Sequence, residues 1–88
     1  MRLISQDGMI DVPYEISALS IGGVGSSATI YVRSKLLDEK PCVFATYSNA
    51  DKALKVMEML QKQFLDYCCN YHSKSGVFYF PKDEEVEV

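Results

Sequence analysis

The chain has no tryptophan, a single histidine (His72) and three cysteines, two of them adjacent (Cys68 and Cys69) and one apart (Cys42). An odd cysteine count with neighbours side by side is no disulfide framework, so free thiols in a reducing compartment are expected. No apolar run approaches the roughly 20 residues of a membrane span, and the opening MRLISQDG lacks a signal-peptide core. No cluster of lysine and arginine exists to follow a phosphate backbone, which argues against duplex nucleic acid as a partner. A zinc site wants about four ligands in spaced pairs, and Cys42, Cys68, Cys69 and His72 do not have that spacing. The expectation is no metal and no cofactor.

The 88 residues suffice for one domain, and 48% hydrophobic with 24% charged residues is a globular composition. The net charge of −3 is local. From Val77 to Val88 there are four acids and one lysine, so the remainder is neutral. Lys82-Asp83-Glu84-Glu85-Val86-Glu87-Val88 is read as an acidic end, able to keep the protein soluble or to engage a basic groove.

Arg2–Ile4 and Met9–Val12 read as short strands around Asp7-Gly8, a strong turn signal. Glu15–Ile21 is a third strand candidate of unresolved facing. Gly22-Gly23-Val24-Gly25-Ser26-Ser27 is a flexible loop by composition. It resembles a phosphate-cradling loop without the Gly-Lys-Ser/Thr ending or the following helix. In Thr29–Arg33, Ile30 and Val32 share one face, Tyr31 and Arg33 the other. Val43–Tyr47 is expected to pair with it as a hairpin.

The clearest element is a helix over residues 49–70. Ser48 is the expected N-cap, with Asp51 near the positive end of the helix dipole. Ala50, Ala53, Leu54, Met57, Leu60, Phe64, Leu65, Cys68 and Tyr71 form its apolar face. A turn over residues 73–76 and a strand Val77–Phe80 follow. The fold class predicted is α+β: a small antiparallel sheet of about five to six short strands packed on one long C-terminal amphipathic helix.

Nucleophilic catalysis needs a base beside a Cys or Ser. Cys68 is one helical turn before His72, but a thiol on an apolar face is inert. The scattered acids form no acid–base pair, so the chain is expected not to be an enzyme. Tyrosine and arginine are enriched in binding hot spots. The candidate ligand- or partner-binding residues are therefore Tyr31 and Arg33 on the open strand face, Tyr47 and Tyr79 beside them in one register (Phe44 and Phe78 in the other), Gly23 and Gly25 in the loop, and Asp83, Glu84 and Glu85 in the acidic end. Met59 projects from the polar helix face, where it can centre a homodimer contact.

Ile4-Ser5-Gln6-Asp7-Gly8-Met9-Ile10-Asp11-Val12-Pro13-Tyr14-Glu15, and Ala45-Thr46-Tyr47-Ser48 running into Lys52–Leu60, resemble a group of short uncharacterised proteins of phages and mobile elements in Gram-positive gut bacteria. The resemblance implies a bacterial host cytoplasm as the setting, and carries no functional residue. With the missing catalytic groups, the acidic end and the Tyr/Arg strand, it implies an accessory protein that binds and inhibits a bacterial host or defence protein, as an anti-CRISPR factor does. The alternatives are an oligomer that sequesters a nucleotide signalling molecule through Arg33, Tyr31 and the glycine loop, and a structural phage protein of no inhibitory role.

Overall fold

Among the described residues six strands and one helix form, but the strands divide into two three-stranded sheets rather than one. In the computed structural model, residues 1–23, 25–38, 40–69 and 76–87 are described, Cys69 by its backbone alone. The expected turn at 73–76, apart from Gly76, and the histidine at 72 lie outside them.

The first sheet has the order β2 (Asp11–Pro13), β1 (Arg2–Ile4), β6 (Val77–Tyr79). β1 pairs antiparallel with β2 and parallel with β6, so the expectation of an all-antiparallel sheet is corrected. The β1–β2 connection is built by side chains. Buried Ser5 donates from Oγ to Asp7 Oδ1 at 2.6 Å and accepts from the Ile10 amide at 3.0 Å. Asp7 Oδ1 also accepts from the Met9 amide at 3.0 Å, the local closure that places aspartate in turns.

The second sheet is a meander of β3 (Ser17–Gly22), β4 (Ala28–Ser34) and β5 (Cys42–Tyr47). A 3-10 turn at Tyr14–Ile16 leads into β3. This settles the facing of β3: Leu19 opposes Val32 and Ile21 opposes Ile30 on the core side, while Ala18 and Ser20 oppose Arg33 and Tyr31 on the other. Between β4 and β5 the register slips at Ile30/Tyr31, a β-bulge. Phe44 and Ala45 are consecutive and both buried, so the alternation of β5 changes parity there. Tyr47 is consequently turned into the core and Thr46 outward.

The helix α1 spans Ala50–Cys69. Its cap is Asn49, not Ser48: the Lys52 amide donates to Asn49 Oδ1 at 2.9 Å. The Ser48 amide donates instead to Asp83 Oδ1 at 2.7 Å. The buried face is Ala53, Val56 and Leu60, with Met57 and Phe64 at its margin. It is rotated from the expected face, which omitted Val56. Leu54 and Leu65 are 58% and 62% exposed, and Ala50 and Cys68 also face solvent.

The core lies between the helix and the two sheets, with Leu3, Ile30, Val32, Val56 and Leu60 at or below 1% exposure. Edge-on ring contacts join Phe44 to Phe80 and Phe80 to Phe78, with centroids 5.7 and 5.2 Å apart. Beyond β6 the chain folds back through a 3-10 turn at Asp83–Glu85 and buries Val86.

Candidate functional site

The outer face of the β3–β4–β5 sheet carries exposed or half-exposed side chains from all three strands. Thr29, Tyr31 and Arg33 come from β4, Ala18, Ser20 and Gly22 from β3, and Val43 from β5, directly opposite Tyr31. The Tyr31 ring leans over Gly22: a Cβ built there would meet Tyr31 Cε2 at 3.1 Å. The ring thus covers a glycine that pairs across from Thr29, and is itself only half-exposed. Val43, 54% exposed, adds an apolar neighbour.

Arg33 stands at one end of this face. With Glu15, Ile16, Ser17, Ala18, Ser34 and Lys35 it lines an open hollow of about 520 Å³. The Glu15 carboxylate is held by the Met1 amino group at 2.7 and 2.8 Å, which holds its pKa below the ordinary value. Arg33 and Lys35 form no ion pair among the described residues, so the hollow has a net basic rim.

The other sequence candidates do not join Arg33. Gly23 and Gly25 lie at the far end of the β3–β4 hairpin, past the Gly22–Thr29 pair. Thr29 and Arg33 are four residue steps apart on β4, roughly 13 Å along the sheet. Gly23 has a structural reason to be glycine: at φ +154°, a Cβ would lie 2.2 Å from the Ser27 carbonyl oxygen. Gly25 turns the hairpin at φ +68° with open space around it.

The tyrosines do not form one cluster. Tyr79 is 69% exposed, but on the first sheet. Placing Tyr47 on the open face is corrected by the bulge: it is 1% exposed and its hydroxyl donates to the Pro81 carbonyl at 2.7 Å. Burial, reinforced by the nearby charges of Asp83 and Glu85, pushes that hydroxyl well above its ordinary pKa.

The acidic end is partly consumed by the fold. Asp83 accepts from the Ser48 amide and pairs with Lys52 Nζ at 3.4 Å; the amide contact is the main reason its carboxyl is held below the usual range. Lys52 Nζ also donates to the Asp83 carbonyl at 3.0 Å. Glu85 accepts from the Lys82 amide at 2.9 Å, while Glu84 points to solvent. Gln6, Asp7, Thr46, Lys82, Asp83 and Glu84 line a second, shallow hollow of about 400 Å³.

Cys68 is exposed and Cys42 half-buried. Among the described residues no three His, Cys, Asp or Glu side chains gather as a metal site. No helix of the described residues is long and apolar enough to cross a membrane.

Sequence reading missed Gln6, Val43, Lys35 and Val56. Gln6 lies in the turn segment beside Asp7-Gly8, where nothing local marks its reach to β5, and Val43 and Lys35 matter only through the register that puts them beside Tyr31 and Arg33. Comparison with known families, with curated proteins and with solved structures finds no match.

Proposed function

We propose that this chain acts by binding a protein partner through the outer face of the β3–β4–β5 sheet. The observation that carries this reading is the juxtaposition on one face of Tyr31, Val43 and Arg33, the last without an ion pair among the described residues. An aromatic ring, an aliphatic side chain and an exposed guanidinium on a sheet face are the chemistry of an interface centre. A hollow this open gives little enclosure to a small reactant. Taken with the resemblance of the Ile4–Glu15 segment to phage and mobile-element proteins, the partner is a bacterial host or defence protein. The outcome is inhibition by occlusion, non-enzymatic and anti-CRISPR-like, in the host cytoplasm.

A pull-down from a defence-bearing bacterial host, with wild type beside Arg33→Glu and Val43→Glu, tests this. A stoichiometric partner retained by wild type and lost by both folded variants is expected. Recovery of no such partner, or one indifferent to both substitutions, overturns the reading.

The basic hollow favours a second reading, sequestration of a nucleotide signalling molecule. Here Arg33 and Lys35 would meet a phosphate, with Ile16 as an apolar wall. A thermal-shift screen against cyclic and ADP-ribose-type nucleotides decides it, since ligand at about 100 times Kd adds about 2.7 kcal/mol. No shift sinks it.

A further inference from the structure

The strand edges of this fold are not protected equally. β2 is three residues long and carries Asp11 and Pro13, both of which discourage further pairing. β5 is met by Gln6, whose amide donates to the Phe44 carbonyl at 2.7 Å and whose side chain accepts from the Thr46 amide at 3.1 Å. On β6, Gln63 Nε2 donates to the Val77 carbonyl at 2.7 Å. β3 differs. It runs for six residues, Ser17-Ala18-Leu19-Ser20-Ile21-Gly22, pairs on one side with β4, and has no strand on its other side among the described residues. It contains no charge, no proline and no bulge. Natural edge strands are blunted by such devices or covered by a helix or loop, and a long uncharged edge without them is a template for pairing with another chain.

A second observation coincides with the open edge. The helix packs mainly on β4 and β5, and Leu19 and Ile21, at the edge of the core, are only half-buried although they face the core side. We infer that β3 pairs antiparallel with β3 of a second copy of this chain, joining the two meanders into one six-stranded sheet. A two-fold axis normal to the sheet keeps the core faces together. It sets the half-buried Leu19 and Ile21 of both copies side by side on the helix side of the joined sheet. The open faces meet through Ala18, Ser20 and Gly22, which are small enough for close strand approach. Antiparallel pairing also sets the Glu15 end of one β3 against the uncharged glycine-loop end of the other, so like charges do not meet. A single strand pair with one flanking apolar stripe is a small interface, consistent with micromolar rather than nanomolar association. The pairing would also bring two copies of the Tyr31/Arg33 face into one surface.

Sedimentation equilibrium across low to high micromolar concentration tests the inference on wild type, Ala18→Glu/Ser20→Glu and Ala18→Lys/Ser20→Lys. In either register that keeps the faces aligned, residue 20 opposes residue 18 or residue 20 of the partner. The double variants therefore place like charges directly opposite. The expected result is a wild-type dimer, at least roughly tenfold weaker self-association in each double variant, and dimer recovered when the acidic and basic variants are mixed. Recovery on mixing also shows that the variants are folded. A wild type that stays monomeric throughout overturns the inference. So does a dimer that the acidic pair leaves intact.

Discussion

Gln6 holds together two pieces of sheet that share no strand. Its amide bonds β5, and its side chain answers the Thr46 amide and donates to the Thr46 and Pro81 carbonyls at 3.3 and 3.0 Å. Removing that side chain hands an exposed backbone amide of β5 to water. Gln6→Ala is expected to cost about 0.5–1.5 kcal/mol, read as a lowered midpoint in urea. Tyr47→Phe keeps the ring and removes the donor to Pro81, for about 1–2 kcal/mol by the same measurement.

Three carboxylates at this scale set the response to acid. Asp7 is held low by the Ser5 hydroxyl and then the Met9 amide, Glu15 by the Met1 amino group, and Asp83 chiefly by the Ser48 amide. In each case the folded state binds its proton less readily than the unfolded chain. Stability is therefore fully present above the ordinary carboxylate values and is lost as pH falls through the depressed ones. Urea midpoints are expected to hold from pH 7 to about 5 and to drop below about 4. Asp83→Asn should lower the neutral plateau and flatten that acid limb. An unchanged limb in this variant would remove Asp83 from the account.

At the scale of elements, the helix tests whether its buried face is Val56–Leu60 or the wider stripe that periodicity suggests. Leu60 is 1% exposed, and Leu60→Ala is expected to cost about 2–5 kcal/mol. Leu54→Ala and Leu65→Ala remove exposed side chains and should stay within about 0.5 kcal/mol. Thermal or urea unfolding of the three variants separates them. Gly23 makes the same kind of contrast in the hairpin. Gly23→Ala drives a Cβ into the Ser27 carbonyl oxygen, whereas Gly25→Ala meets open space and pays only its left-handed backbone, about 1–2 kcal/mol.

Across the whole molecule, the first and last strands are partners. β1 lies between β2 and β6, and the Phe80 amide extends the ladder by donating to the Ile4 carbonyl at 3.1 Å. The segment beyond β6 then returns over β5 and the start of the helix through Asp83 and Val86. Deleting residues 82–88 is expected to remove about 1.5–3 kcal/mol from the Val86 side chain alone, before the Asp83 contacts are counted. A truncated chain with an unchanged urea midpoint would show that this return is not part of the folded unit.

Most elements were legible because their signals are local. Ile30 and Val32 against Tyr31 and Arg33 announce β4 by alternation, Asp7-Gly8 announces a turn, and the spacing from Ala53 to Phe64 announces a helix. Those patterns reflect backbone geometry and need no distant partner. Tertiary structure decided what depends on pairing between remote segments: the parallel β1–β6 ladder, the division into two sheets, and the bulge at Phe44. The bulge alone moved Tyr47 from the open face to the core and left Val43 beside Tyr31. Because the side-chain period of a strand is two, one extra residue inverts every facing after it, and no local pattern in Cys42–Tyr47 reveals where that residue falls.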